Sequence, residues 1–175
     1  VLTLALAGCG GGVGGPSPDP LGADPTAAPD DAAAAAIAGL ADVELTSLPC
    51  GWQFAGGPVD QTVRIEVWRD VVTDAAPLPV TVTLGVDGWS GRVVLGRDLA
   101  ANWCDDVLEP GEPTAVIDAE RPLTGTLTWQ LTSGDGACPS DAVATLTDLS
   151  VEVDDGSVAI DDLTLTNDAF GCFAG

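Results

Sequence analysis

The chain contains no histidine, no lysine, no methionine and no tyrosine. Without histidine there is no Ser-His-Asp or Cys-His couple and no imidazole ligand for zinc or copper. Without lysine there is no Ser-Lys couple and no Schiff base. Positive charge is equally scarce: five arginines stand against 27 carboxylates, for a formal net charge of −22. Such a surface repels phosphate backbones, which excludes nucleic acid as a partner, and it offers no polybasic segment to an anionic lipid surface. Paired-carboxylate glycoside hydrolysis is the acid–base chemistry that this composition still permits. Abundant carboxylates are not a constellation, however, and the expectation is a protein that is not an enzyme and needs no cofactor. The acidity itself reads first as a solubility device.

Long apolar runs are missing too. Residues 1–8 (Val1-Leu2-Thr3-Leu4-Ala5-Leu6-Ala7-Gly8) carry no charge and end at Cys9, far short of the roughly 20 residues needed to span a bilayer. An uncharged apolar stretch that closes on small residues has the character of a signal-peptide core and its cleavage site. Because the chain starts at Val1 rather than Met, a start codon and a basic leading segment are expected to precede it. The tetrapeptide Leu6-Ala7-Gly8-Cys9 resembles the lipobox of bacterial lipoproteins. That resemblance implies cleavage before Cys9, a lipid on the Cys9 thiol, and attachment to the extracellular or periplasmic face of a cell membrane. A single acyl chain anchors only marginally, and the lipoprotein family supplies more than one.

Five cysteines are an odd number for a secreted chain. With Cys9 set aside, Cys50, Cys104, Cys138 and Cys172 form an even set suited to two disulfides in an oxidising compartment. No CxxC spacing is present, so a zinc site would need four widely scattered thiolates. Three pairings are open. If the later strands follow one another as hairpins, Cys104, Cys138 and Cys172 fall at one end of the sheet, which allows Cys104–Cys138 with Cys50–Cys172.

Residues 9–29 are dominated by Gly, Pro and Ala and cannot bury enough apolar surface to fold, so they read as a disordered tether. Twenty flexible residues hold a domain on the order of 25 Å from its anchor. Residues 30–41 follow as a short Ala-rich helix, with Asp30 or Asp31 as N-cap and with Ile37 and Leu40 on one face.

From 43 to 175 the texture turns to alternating Val, Leu and Thr. Val80-Thr81-Val82-Thr83-Leu84 and Leu123 to Leu131 have period two, the second with Leu123, Leu127, Trp129 and Leu131 on one face; Val63, Ile65, Val67 and Val71 make a third stripe. One buried and one wet face mark an antiparallel sheet. Val151 to Ile160 reads as a hairpin turning at Asp155-Gly156, with Val153 opposite Val158 and Val151 opposite Ile160. Farther out the apolar parity changes on both strands: Ala144 and Leu146 against Leu149 and Val151, then Val158 and Ile160 against Leu163 and Leu165. Bulges near Asp148 and near Asp161 and Asp162 are therefore predicted. About eight strands in some 130 residues suit one all-β, antiparallel sandwich, immunoglobulin-like or jelly-roll-like and stapled by disulfides, with a closed barrel as the alternative.

Two features suggest ligands. Asp105, Asp106, Glu109 and Glu112 crowd one short loop and could supply oxygen ligands to calcium, although the spacing matches no EF-hand and a solvated charge run explains it as well. Trp129, Trp52 and Phe54 are assigned to the core, and Trp103 to a disulfide that it covers. Trp68, on the polar register with Arg64 and Glu66, and Trp89, in the turn-like Asp87-Gly88-Trp89-Ser90-Gly91, form a possible platform for stacking on sugars. The segments Ala101 to Val107 and Phe170 to Gly175 are similar to parts of uncharacterised actinobacterial lipoproteins, a likeness that brings no activity with it. The expected function is that of a membrane-anchored, non-catalytic module binding a protein or glycan partner, with a carbohydrate- or calcium-binding accessory module as the alternative and a small carboxylate hydrolase as a third.

Overall fold

A computed structural model describes residues 29–70, 79–105, 108–134, 140–154 and 156–172. Cys9 and the rest of the leader and tether lie outside the described residues, as do Val71, Asp106 and Cys138. Helix α1 spans Pro29–Ala38 and tightens into a 3-10 turn over Gly39–Asp42. Proline suits a first helical position because its missing N–H would have no intrahelical partner there. Asp30 and Asp31 consequently fall inside the first turn and do not precede the helix as caps. The expected apolar face is real: Ile37 and Leu40 are fully buried, and α1 docks on the second layer of the sandwich described below. That docking supplies what so short a helix lacks by itself.

Nine antiparallel strands make up the rest: β1 Thr46–Ser47, β2 Gln53–Gly57, β3 Val63–Arg69, β4 Val80–Thr83, β5 Trp89–Arg97, β6 Val116–Ser133, β7 Ser140–Val153, β8 Gly156–Ile160 and β9 Leu163–Phe170. The first layer runs β1-β2-β3-β5 and ends on the N-terminal half of β6. The second is built from β4, the C-terminal half of β6, β7, and β8 and β9 end to end along β7. The long β6 thus belongs to both layers of an all-β sandwich. Between them Phe54, Trp89, Trp129 and Phe170 pack ring on ring, with centroids 5.0–6.4 Å apart. Trp52, half-buried, closes edge-on against Phe170 at 5.1 Å.

The connectivity is a meander: sequential strands are spatial neighbours almost throughout. The exception is β4, which crosses to the second layer to pair with β6 while β3 pairs directly with β5, so the chain passes between the layers of the sandwich more than once. Opposite the shared β6, the free edges of β1–β2 and β9 meet through side chains. The Thr166 N–H donates to Ser47 Oγ, and the buried Asn167 donates its amide to the carbonyls of Gln53 (2.7 Å) and Gly51 (3.3 Å). No β-ladder joins these edges among the described residues, so the seam is stitched and the alternative of a closed barrel does not apply.

The parity changes mark a real feature. Opposite Gly125 of β6, β7 carries an extra residue at Asp148, which has a positive φ of 53°. The strand turns over there, so that Ala144 and Leu146 before the bulge and Leu149 and Val151 after it are all buried. The break at Asp161 and Asp162 separates β8 from β9 and lies across from it. Pairing continues in one register on both sides, with Leu149 opposite Ile160 and Leu146 opposite Leu163. Both strands therefore change face together, and the register is kept across the unpaired Asp161 and Asp162. One detail of the hairpin differs from expectation. Val153 faces Gly156 and Val151 faces Val158, so Gly156 is already paired in β8 and is not a turn residue; Asp155 lies outside the described residues. A shift of partners by two residues leaves every side chain on its original face, which is why the alternation alone could not distinguish the two registers.

Candidate functional site

The outer face of the first layer departs from the wet surface that alternation implies. On β3 the inward Val63, Ile65 and Val67 are buried, but so are the intervening Arg64 (6% exposed) and Glu66 (2%). On β5 the outward Val94 is completely buried. The cover is the segment that follows β5. Asp98 to Cys104 folds back across the sheet, placing Leu99 (1% exposed) above it and the Trp103 ring 4.5 Å from the Arg64 guanidinium. Trp103 also donates its indole N–H to the Leu48 carbonyl at 3.0 Å, so it spans from Arg64 to the chain beside β1.

From beneath this cover a row of alternating charge runs out across three strands to the surface. Arg64 donates through Nε to Glu66 Oε1 at 2.6 Å and through Nη1 to the Leu99 carbonyl. The other oxygen of Glu66 accepts from Arg92 Nε at 2.6 Å, and Arg92 in turn holds both oxygens of Glu120 at 3.1 Å. Partners on every side offset the cost of removing Arg64 and Glu66 from water. Arg92 also lies over Trp68, 5.2 Å from the ring centroid.

A disulfide fastens the covering segment. Cys50 and Cys104 are bonded, with their Cα atoms 5.6 Å apart. Cys172 is disulfide-bonded as well. The pairing of Cys104 with Cys138 and of Cys50 with Cys172 is therefore not the one formed. It assumed that Cys104 stays at a strand end, whereas the return of residues 98–104 over the sheet carries Cys104 to the β1–β2 connection. Cys50 and Cys172 do share an end of the molecule: the Gly171 N–H donates to the Gly51 carbonyl at 3.0 Å.

Where the cover meets the loop joining β2 to β3 there is a pocket of about 140 Å³. One wall is Gly57 to Gln61, another is Leu99 and Ala100, and Thr46, Leu48, Val63 and Arg64 complete it. Gln61 clasps the two loops together. Its carbonyl accepts from the Leu99 N–H (3.2 Å), and its side-chain oxygen accepts from the Ala100 N–H (3.4 Å). The backbone here is unusual. Five described non-glycine residues have φ in the left-handed region, and four of them, Gln61, Asp98, Asn102 and Cys104, belong to this pair of loops. Asp and Asn tolerate that region, but Gln61 and Cys104 do so at a cost of order 1 kcal/mol or more each. Strain concentrated around a cavity needs surroundings that impose it, here the disulfide, the Gln61 clasp and Trp103. Gln61→Ala should therefore enlarge the pocket mouth and lower stability by about 1 kcal/mol, the value of a typical hydrogen bond. Amide exchange at Leu99 and Ala100 should rise by more than the global stability change accounts for.

The residues singled out from the sequence are scattered by comparison. Trp68 and Trp89 do not form a platform, because they sit on opposite faces of the sheet. Trp89 opens β5 after a turn centred on Gly85 to Gly88, and its register opposite Arg69 puts it in the core at 3% exposure. Trp68, opposite Ser90, is half-buried under Arg92. Asp105, Glu109 and Glu112 are exposed, and Glu112 accepts a hydrogen bond from the Glu109 backbone N–H at 3.0 Å. Among the described residues no group of three acidic or cysteine side chains is placed to hold a metal ion. None of the described helices is long and apolar enough to cross a membrane. The pocket and the charged row were missed, although Arg64-Ile65-Glu66 and Trp103-Cys104 were visible. A tryptophan adjoining a cysteine after a strand is the one signal in the sequence of a loop pinned across a sheet. No protein-family model, curated protein or solved structure matches the chain.

Proposed function

We propose that this chain is a lipid-anchored, extracytoplasmic, non-catalytic binding module that meets its partner at the pocket between Gln61 and Leu99. The observation that carries the reading is the pocket's construction: the β2–β3 loop and the disulfide-fastened segment after β5 meet at one small concavity, clasped by Gln61 and lined in part by the buried Arg64. A fold that needed only stability would not concentrate four left-handed residues, one of them the lining Gln61, in the two loops that meet at this pocket. The Cys50–Cys104 disulfide suits an oxidising compartment outside the cytoplasm. The lipobox-like Leu6-Ala7-Gly8-Cys9 supplies the attachment, and the net charge of −22 leaves acyl chains as the means of membrane binding. Glycan stacking is no longer favoured, since it relied on Trp68 and Trp89 acting together.

Mass spectrometry of the protein extracted from its native membrane tests the anchor. The expected product begins at Cys9 and carries diacylglycerol on Sγ, and Cys9→Ala moves the protein to the soluble fraction. A mature N-terminus elsewhere, or a Cys9→Ala protein that stays on the membrane, overturns the anchored reading.

A further inference from the structure

The pocket's chemistry points to a class of partner. Its volume of about 140 Å³ compares with the roughly 150 Å³ that admits benzene in a well-studied engineered cavity, so it suits one branched aliphatic or aromatic side chain. Leu48, Pro58, Val59, Val63 and Leu99 make the lining largely apolar. Arg64 does not turn it into an anion site, because Glu66 already neutralises the guanidinium at 2.6 Å and the Leu99 carbonyl occupies Nη1. The charge lies outside. Asp60, between the lining residues Val59 and Gln61, is exposed, as is Asp98, next to Leu99, and Glu44, two residues before Thr46. Arg97 is the exposed cation beside them, so carboxylates outnumber it on a protein whose whole field is strongly negative. The rim also carries Val59, which is 87% exposed.

We infer that the pocket receives a single apolar side chain from a basic polypeptide segment, whose flanking Lys or Arg residues meet the carboxylates of the lip. This rests on the pocket being the binding site, as proposed above. An apolar anchor supplies affinity and the surrounding opposite charge supplies steering and selectivity.

The test titrates the ¹⁵N-labelled, disulfide-intact full chain with three N-acetylated, C-amidated pentapeptides: Lys-Lys-Leu-Lys-Lys, Lys-Lys-Ser-Lys-Lys and Glu-Glu-Leu-Glu-Glu. The first should shift the amides of Leu48, Gln61, Leu99 and Ala100 and weaken as salt is raised. Replacing its leucine by serine should reduce affinity at least ten-fold, the least that losing a buried leucine entails. Asp60→Asn and Asp98→Asn should each weaken it about three-fold, as expected for exposed charge pairs; asparagine is chosen at 98 because it accepts the left-handed backbone there. Ala100→Leu, which fills the pocket, should abolish the shifts while the melting temperature stays near that of the parent. If the glutamate peptide binds as well as the lysine peptide, the basic-partner inference is wrong while the pocket survives as a site. If no peptide moves the pocket amides, or the serine peptide binds as tightly as the leucine one, the assignment of the pocket itself is overturned.

Discussion

Glu66→Gln is expected to destabilise the fold by about 3–5 kcal/mol, the range seen when one member of a buried ion pair is removed. The side chain keeps its shape, so the loss is electrostatic. Arg64, 6% exposed, would keep its charge with a weaker acceptor beside it and the Trp103 ring above. Arg92 suffers less, because it is about one-third exposed and retains Glu120. Converting Arg64→Met together with Glu66→Leu should recover most of the loss, since well-packed apolar replacements of a buried pair are often neutral or better. Chemical denaturation of the parent, Arg64→Met, Glu66→Leu and the double variant measures the coupling directly. Salt separates this from a surface effect. The Arg121–Asp154 contact, at 3.3 Å and with Asp154 exposed, should fade with ionic strength, whereas the deficit of Glu66→Gln should persist. A Glu66→Gln protein as stable as the parent would mean that residues 98–104 do not cover the sheet in solution.

That covered face also shows where sequence patterning stops being informative. Period-two alternation identifies which residues share a face, and it did so correctly for Val63, Ile65 and Val67, for Leu123, Leu127 and Trp129, and across the face change at Asp148. It located the docking face of the helix through Ile37 and Leu40. Alternation cannot say whether the second face is wet. On β3 the polar residues Arg64 and Glu66 read as solvent-facing because their type is normally exposed, yet a loop some 30 residues later in the chain lies over them. The same limit explains Trp89. Its neighbours Gly88 and Gly91 suggested a turn, but Gly88 ends the turn and Trp89 begins β5, one residue that separates a core ring from a surface ring. The disulfide pairing failed for a related reason, since a loop's destination depends on contacts with no sequence period: Trp103 reaching Leu48, Leu99 reaching Gln61. The pocket inherits this non-local origin, as its walls come from Thr46 and Leu48, from residues of the stretch between β2 and β3 such as Val59 and Gln61, and from Leu99 and Ala100.

Removing Cys50 and Cys104 together by substitution with serine should destabilise the protein by about 4 kcal/mol, the chain-entropy value for a loop closed across roughly 50 residues; the bridge here spans a separation of 54. The change should be spatially uneven. Within the first layer the segment 98–104 owes its position to the bridge, to Trp103 Nε1 on Leu48 and to the Gln61 clasp. With the bridge gone, the left-handed conformations of Asp98, Asn102 and Cys104 lose their main external constraint, and the strain favours release of the segment. Release exposes Arg64 and Glu66 to water, so the deficit of Glu66→Gln measured in the serine background should shrink well below its value in the parent. Hydrogen exchange offers the direct view: the amides of Leu99, Ala101 and Trp103 should lose protection by local opening, while the β6–β7 ladder, with Leu127 opposite Leu146, exchanges only through global unfolding. Binding should fall further than stability, because a pocket missing its Leu99–Ala100 wall is no longer concave even in molecules that remain folded. Serine variants are preferable to chemical reduction, which would also open the disulfide of Cys172. If the double variant kept full protection at Leu99 and bound the leucine peptide normally, the bridge would be a stabiliser of the fold as a whole and not the fastening of the site.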